Sequence, residues 1–218
     1  MEIITQCLDF VVHIDKHLAV IIQSYGAWSY LILFLIIFCE TGLVVTPFLP
    51  GDSLLFVIGA LGATGALDFK LAVVILLIAA IGGNTLNYFI GKMIGHRILE
   101  NSKLPLINRI IKKEYIEKAN AFYEKHGGKA ILLSRFLPIL RTFAPFVAGV
   151  GKMNLAKFTM YNSIGALAWV LTFMMGGYFF GNIPAVKNNF TYVILGIILV
   201  SLLPAVITWL NARKKIIL

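Results

Sequence analysis

Four ionisable residues interrupt stretches that otherwise read as membrane interior. Glu40 and Asp52 lie in CETGLVVTPFLPGDSLLF, and Arg135 and Arg141 lie in LLSRFLPILRTFAPFVAG. A charge at the centre of a spanning helix costs about 2.5–3.5 kcal/mol on insertion scales, so four oppose insertion by roughly 10–14 kcal/mol. Such groups are kept for pairing, for a ligand or for a water path. Arginine matches phosphate with a bidentate fork and stays charged in a poorly hydrated site, which suits Arg135 and Arg141 to a lipid phosphate. The carboxylates of Glu40 and Asp52 can exchange protons when such pairing changes, a route to proton coupling.

Plainer readings compete at each position. Asp52 follows Pro50-Gly51 and precedes SLLF, as a helix N-cap would. Glu40 could hold an arginine permanently as a structural bridge. Arg135 is close to a basic segment and could snorkel to headgroups. Arg141 is deeper and escapes that explanation. Pro47, Pro50, Gly51, Pro138 and Pro145 read as residues that break helices and shape hairpins.

The elements that must position these groups follow from composition. Of 218 residues, 59% are hydrophobic and 13% charged, about half the charged share of a soluble domain. The expectation is one all-α integral membrane domain over 1–218. The net charge of +9 sits in flanks of apolar runs, as topology signals do, and argues against a nucleic-acid partner. The N-terminus lacks a clean apolar core and cleavage site for a removable signal peptide. Residues 8–25 read as an amphipathic interfacial helix, 27–67 as a first hairpin, 71–91 as a span, and 92–129 as a basic loop. Residues 130–151 read as a second hairpin, and 158–186 and 190–212 as two further spans.

Nine basic residues in 92–129 put that loop in the cytoplasm. If 130–151 crossed once, Lys152, Lys157 and Arg213-Lys214-Lys215 would all fall outside. If it dips and returns, only Lys187 does, so re-entry is the better reading and the C-terminus is cytoplasmic. Parity then makes 27–67 begin and end on the outer face. Two oppositely oriented re-entrant hairpins, each followed by a span, form an inverted repeat of the transporter kind.

Other features carry less. Gly82, Gly83, Asn84 and Asn87 suit close helix packing and interhelical hydrogen bonds, and Gly91-x-x-x-Gly95 is a small-residue packing pattern. Trp169, Tyr178 and Phe179 read as packing. His13 and His17 lack further metal ligands, His126 reads as a loop residue, and Cys7 and Cys39 as apolar fillers. No cofactor or metal is called for. Neither H-E-x-x-H nor G-x-S-x-G occurs, and Ser134 has no neighbouring base, so an enzyme is not expected.

FCETGLVVTPFLPGDSLLF and SRFLPILRTFAPFVAGVG, with FYEKHGG and YNSIGALAWV beside the second, resemble the DedA family, the bacterial branch of the group that includes the VTT-domain lipid scramblases. The resemblance runs over nearly the whole chain and implies lipid transport in the bacterial cytoplasmic (inner) membrane. Relatives return undecaprenyl phosphate to the cytoplasmic side or move phospholipids between leaflets, with proton-motive force implicated for some. The family's acidic pair maps onto Glu40 and Asp52, its arginine pair onto Arg135 and Arg141. One departure is Asn84, where members of the nearest subgroup often carry Asp. The expected partners are a polyprenyl phosphate or phospholipid and protons. The sequence leaves the oligomeric state open, a homo-oligomer included.

Overall fold

The computed structural model describes residues 22, 24–43, 51–100, 127–189, 192–197 and 199–200. Among them all regular structure is helical: α1 Trp28–Gly42, α2 Gly51–Ala63, α3 Phe69–Glu100, α4 Lys129–Ser134, α5 Pro138–Val150, α6 Leu155–Phe180 and α7 Pro184–Lys187. The high apolar content explains this, since backbone groups out of water must bond within their own segment. Among the described residues two helices are long and apolar enough to cross a membrane, Phe69–Gly95 and Leu155–Phe180. Large apolar side chains such as Val74, Ile78, Leu167 and Phe179 are exposed along them. At 1.5 Å per residue the 15-residue α1 and 13-residue α2 and α5 reach only about 20–22 Å, short of a hydrocarbon core of about 30 Å.

The chain divides into two compact units. One comprises Met1–Ile36, Phe48–Leu77 and Ala168–Leu218, the other Ile37–Pro47 and Ile78–Leu167. In the first, the Tyr30 hydroxyl near the start of α1 accepts from the backbone N–H of Asp68, just beyond α2, at 2.8 Å. That bond brings the two ends of the 27–67 segment together. Asp68 Oδ1 also accepts from Leu71 N–H at 3.0 Å and so caps α3. In the second unit Asn154 does the same for α6, accepting from Ala156 and Lys157 at 3.0 and 3.2 Å. There Tyr88 stacks on Phe158 with ring centroids 4.5 Å apart, and its hydroxyl donates to the Met153 carbonyl.

Each unit contains the same helix joint. In the first, a methyl group on Gly59 would overlap the Met174 carbonyl, and one on Gly177 the Phe56 carbonyl. In the second, a methyl on Gly149 would overlap the Tyr88 carbonyl, and one on Gly91 the Phe146 carbonyl. Phe56-Val57-Ile58-Gly59 thus corresponds to Phe146-Val147-Ala148-Gly149, and Met174 and Gly177 keep the spacing of Tyr88 and Gly91. The joint places backbone on backbone, which only glycine permits.

Several boundaries differ from expectation. The expected span 71–91 lies inside the longer α3, whose helix continues to Glu100 through the first residues of the expected 92–129 loop. Polarity ends the apolar stretch without ending the helix, since the backbone still bonds to itself in water. The expected span 158–186 stops at Phe180, because Ile183, before Pro184, is held extended (φ −63°, ψ 132°). Pro145 does not break the second hairpin: it lies inside α5, which runs on to Val150. Proline has no N–H to donate within a helix, yet α5 runs through this position. Pro138 begins α5, where a missing N–H costs nothing. Pro47, Pro50, Cys7, His13, His17, His126, nearly all of the 8–25 helix and most of the 190–212 span lie outside the described residues.

Candidate functional site

Glu40 occupies the last turn of α1 and Arg141 the first turn of α5. Both positions oppose the helix dipole, which favours cations at a C-terminus and anions at an N-terminus. The two side chains meet directly: Arg141 Nη2 donates to Glu40 Oε1 at 2.5 Å, with both almost fully buried. The positive start of α5 and the Arg141 fork together favour an anion, and the Glu40 carboxylate fills that place.

Arg135 lies in the turn between α4 and α5 and is 1% exposed. That burial excludes snorkelling to headgroups. Its Nη2 donates to Asn162 Oδ1 at 2.6 Å and to the Ala80 carbonyl at 3.1 Å. Its stem passes over Gly165, where an added methyl would lie 3.4 Å from Cδ. Asn162 is in turn anchored by donating to the Ile81 carbonyl at 3.2 Å. Asn84 adjoins the same group: with Oδ1 turned to Arg135 it accepts from Nη2 at 2.9 Å, and its Nδ2 donates to the Thr41 carbonyl at 3.2 Å. An aspartate at Asn84 would therefore meet the Arg135 guanidinium. One turn further along α3, Asn87 Nδ2 donates to the Thr142 carbonyl at 2.7 Å and reaches the Thr41 carbonyl at 3.4 Å.

Glu40, Arg135 and Arg141 thus share one unit, and Asp52 belongs to the other. Asp52 is not a cap ahead of α2 but the second residue within it, where the helix N-terminus favours a carboxylate. Its Oδ1 accepts from the indole N–H of Trp169 at 2.8 Å. Trp169, expected to serve packing alone, is fully buried and carries that polar contact as well. The Ser134 hydroxyl donates to the Ile131 carbonyl at 2.8 Å. No group of three or more His, Cys, Asp or Glu among the described residues could hold a metal.

Sequence reasoning missed Asn162 altogether and gave Asn87 and Trp169 only packing or generic bonding roles. The available signal was an uncharged amide inside an apolar helix, which demands partners as a charge does, though at lower cost.

Residues 49–179 match the VTT domain. A protein of Escherichia coli (strain K12) named Protein DedA is 56% identical over 216 residues, covering 98% of this chain and 97% of its own. An uncharacterized membrane protein of Mycobacterium leprae (strain TN) is 40% identical over 181 residues, 83% of this chain and 79% of its own. Inner membrane protein YqjA of E. coli K12 is 37% identical over 158 residues, 71% and 69% respectively. No solved structure matches the chain.

Proposed function

The chain belongs to the DedA family of VTT-domain membrane proteins, and from that premise we propose that it carries phosphate-bearing lipids between the leaflets of a bilayer. The observation that carries this reading is the buried contact of Glu40 with Arg141 at 2.5 Å. A lipid phosphate competes for the same fork, with two or more oxygens where the carboxylate now sits. Glu40, once displaced, takes up a proton rather than stay charged in a buried place. Arg135, pinned by Asn162, supplies a second positive charge and fixes the turn that leads into α5. Asp52, held by Trp169, is the second proton-exchanging carboxylate. The preferred cargo is undecaprenyl phosphate, whose polyprenyl tail can stay in lipid while the headgroup alone follows the polar path.

A second reading is a phospholipid scramblase with phosphatidylethanolamine as cargo. The same ion pair favours it, because a zwitterionic headgroup replaces both partners at once and no proton is needed. An enzymatic role gains no support, since the Ser134 hydroxyl is spent on the Ile131 carbonyl. The short arms of α1, α2 and α5 suit two re-entrant hairpins, and the repeated glycine joint suits an internal repeat. The membrane is the bacterial cytoplasmic one, with the 92–129 segment and the C-terminus on the cytoplasmic side.

Liposomes carrying the purified protein and either labelled lipid test the proposal. Movement of undecaprenyl phosphate that responds to a pH gradient supports the coupled carrier. Equal movement of both lipids without such a response supports the scramblase, and steady single-channel current without lipid movement refutes both.

A further inference from the structure

One buried polar atom near the ion pair has no hydrogen-bond partner among the described residues. Asn87 is fully buried on α3, and its Nδ2 is committed to carbonyl groups that follow the two charged residues in sequence, Thr41 after Glu40 and Thr142 after Arg141. The amide thus ties the end of α1 to the first part of α5 within one unit. Its Oδ1 is buried and accepts no hydrogen bond. Reversing the amide would not help, since oxygen would then face the carbonyl oxygens. Buried acceptors are nearly always satisfied, and each exception calls for a cause. Here the same amide bonds, through its nitrogen, the carbonyls that follow both members of a pair that a ligand would open.

We infer that Asn87 reads the headgroup of the carried lipid: its Oδ1 accepts from a donor adjacent to the phosphate that Arg141 binds. This rests on the lipid-transport reading above and narrows its substrate class. The lipid must carry an N–H or O–H next to an anionic phosphate. Two chemistries qualify, the ammonium of an ethanolamine headgroup and the P–OH of a phosphomonoester that retains one proton. A choline headgroup has the same charge as ethanolamine and no donor.

The test is transport of acyl-labelled phosphatidylethanolamine, its N,N-dimethyl derivative and phosphatidylcholine in liposomes, with polyprenyl phosphate as a parallel arm. All three phospholipids keep the positive charge, and only the last lacks an N–H. Wild-type protein should move the first two at similar rates and phosphatidylcholine roughly three- to tenfold more slowly, the range one hydrogen bond accounts for. Asn87→Leu should bring ethanolamine lipids to the choline rate, and a parallel fall in polyprenyl phosphate movement would show that a P–OH donor is read as well. Ratios within one preparation do not depend on how much of the variant folds. A rate that falls evenly with each methyl group, or a wild-type preference that survives in Asn87→Leu, overturns the inference and leaves transport standing. Wild-type protein that moves none of these lipids overturns both.

Discussion

Removing one partner of the Glu40–Arg141 pair should cost far more than removing both charges. Each side chain is almost fully buried and they touch at 2.5 Å. Neutralising one deprives the other of its direct counter-charge, a loss of about 3–5 kcal/mol when a buried pair is broken. Each charge also sits at the wrong end of its helix, against a dipole term of about 0.3–1 kcal/mol. Neutralising both relieves the two dipole terms and leaves an amide pair able to hydrogen-bond. Glu40→Gln and Arg141→Gln should therefore each destabilise by about 3–5 kcal/mol, and the double variant by about 1–2 kcal/mol. For a chain of this size 1 kcal/mol shifts Tm by roughly 2–4 °C, so each single variant should melt about 6–20 °C lower. Thermal unfolding of the four proteins in nanodiscs reads this directly. Additive losses in the double variant would show that the pair contributes no coupling and would refute the reasoning.

The glycine joints give a second prediction: Gly91→Ala and Gly177→Ala, whose methyls would overlap carbonyls, should each lower stability by about 1–3 kcal/mol through overpacking. Gly196→Ala, with nothing within 4 Å, should be neutral or gain up to about 1 kcal/mol in the same melt. Asn162→Ala removes a charge-assisted bond to Arg135 and should cost about 1.5–3 kcal/mol, while Asn162→Gln recovers part of it. Trp169→Phe keeps the ring and loses the donor to Asp52, at a similar cost of about 1.5–3 kcal/mol. If Asp52 exchanges protons, that variant also changes the pH profile of lipid movement, and an identical profile would leave Trp169 a packing residue.

The residues at the site were legible to different degrees for physical reasons. Charges in apolar runs announce themselves through their insertion cost, so Glu40, Asp52, Arg135 and Arg141 stood out. Their pairing did not, because the sequence gives residue types without saying which carboxylate meets which guanidinium. Arg135 looked able to reach headgroups because it follows a basic segment. In the fold Asn162 and the Ala80 carbonyl hold it inward. Asn87, Asn162 and Trp169 passed as ordinary helix residues, since a neutral polar group acquires its meaning only from its partner. The repeated joint was half visible: FLP recurs in both segments expected to form hairpins, but two extra residues before FVAG shift its register against FVIG and hide the common joint. The helical extension to Glu100 escaped notice because polarity marks the edge of a membrane and not the end of a helix.

Lipid movement by the Glu40→Gln/Arg141→Gln double variant tests the central claim most directly, because that protein should keep its fold while losing the charged pair. With labelled undecaprenyl phosphate and phosphatidylethanolamine in liposomes, the variant should be folded by thermal unfolding and should move neither lipid above the protein-free background. Wild-type rates from the folded double variant would contradict the assignment of the Glu40–Arg141 pair as the place where a lipid phosphate exchanges with a carboxylate.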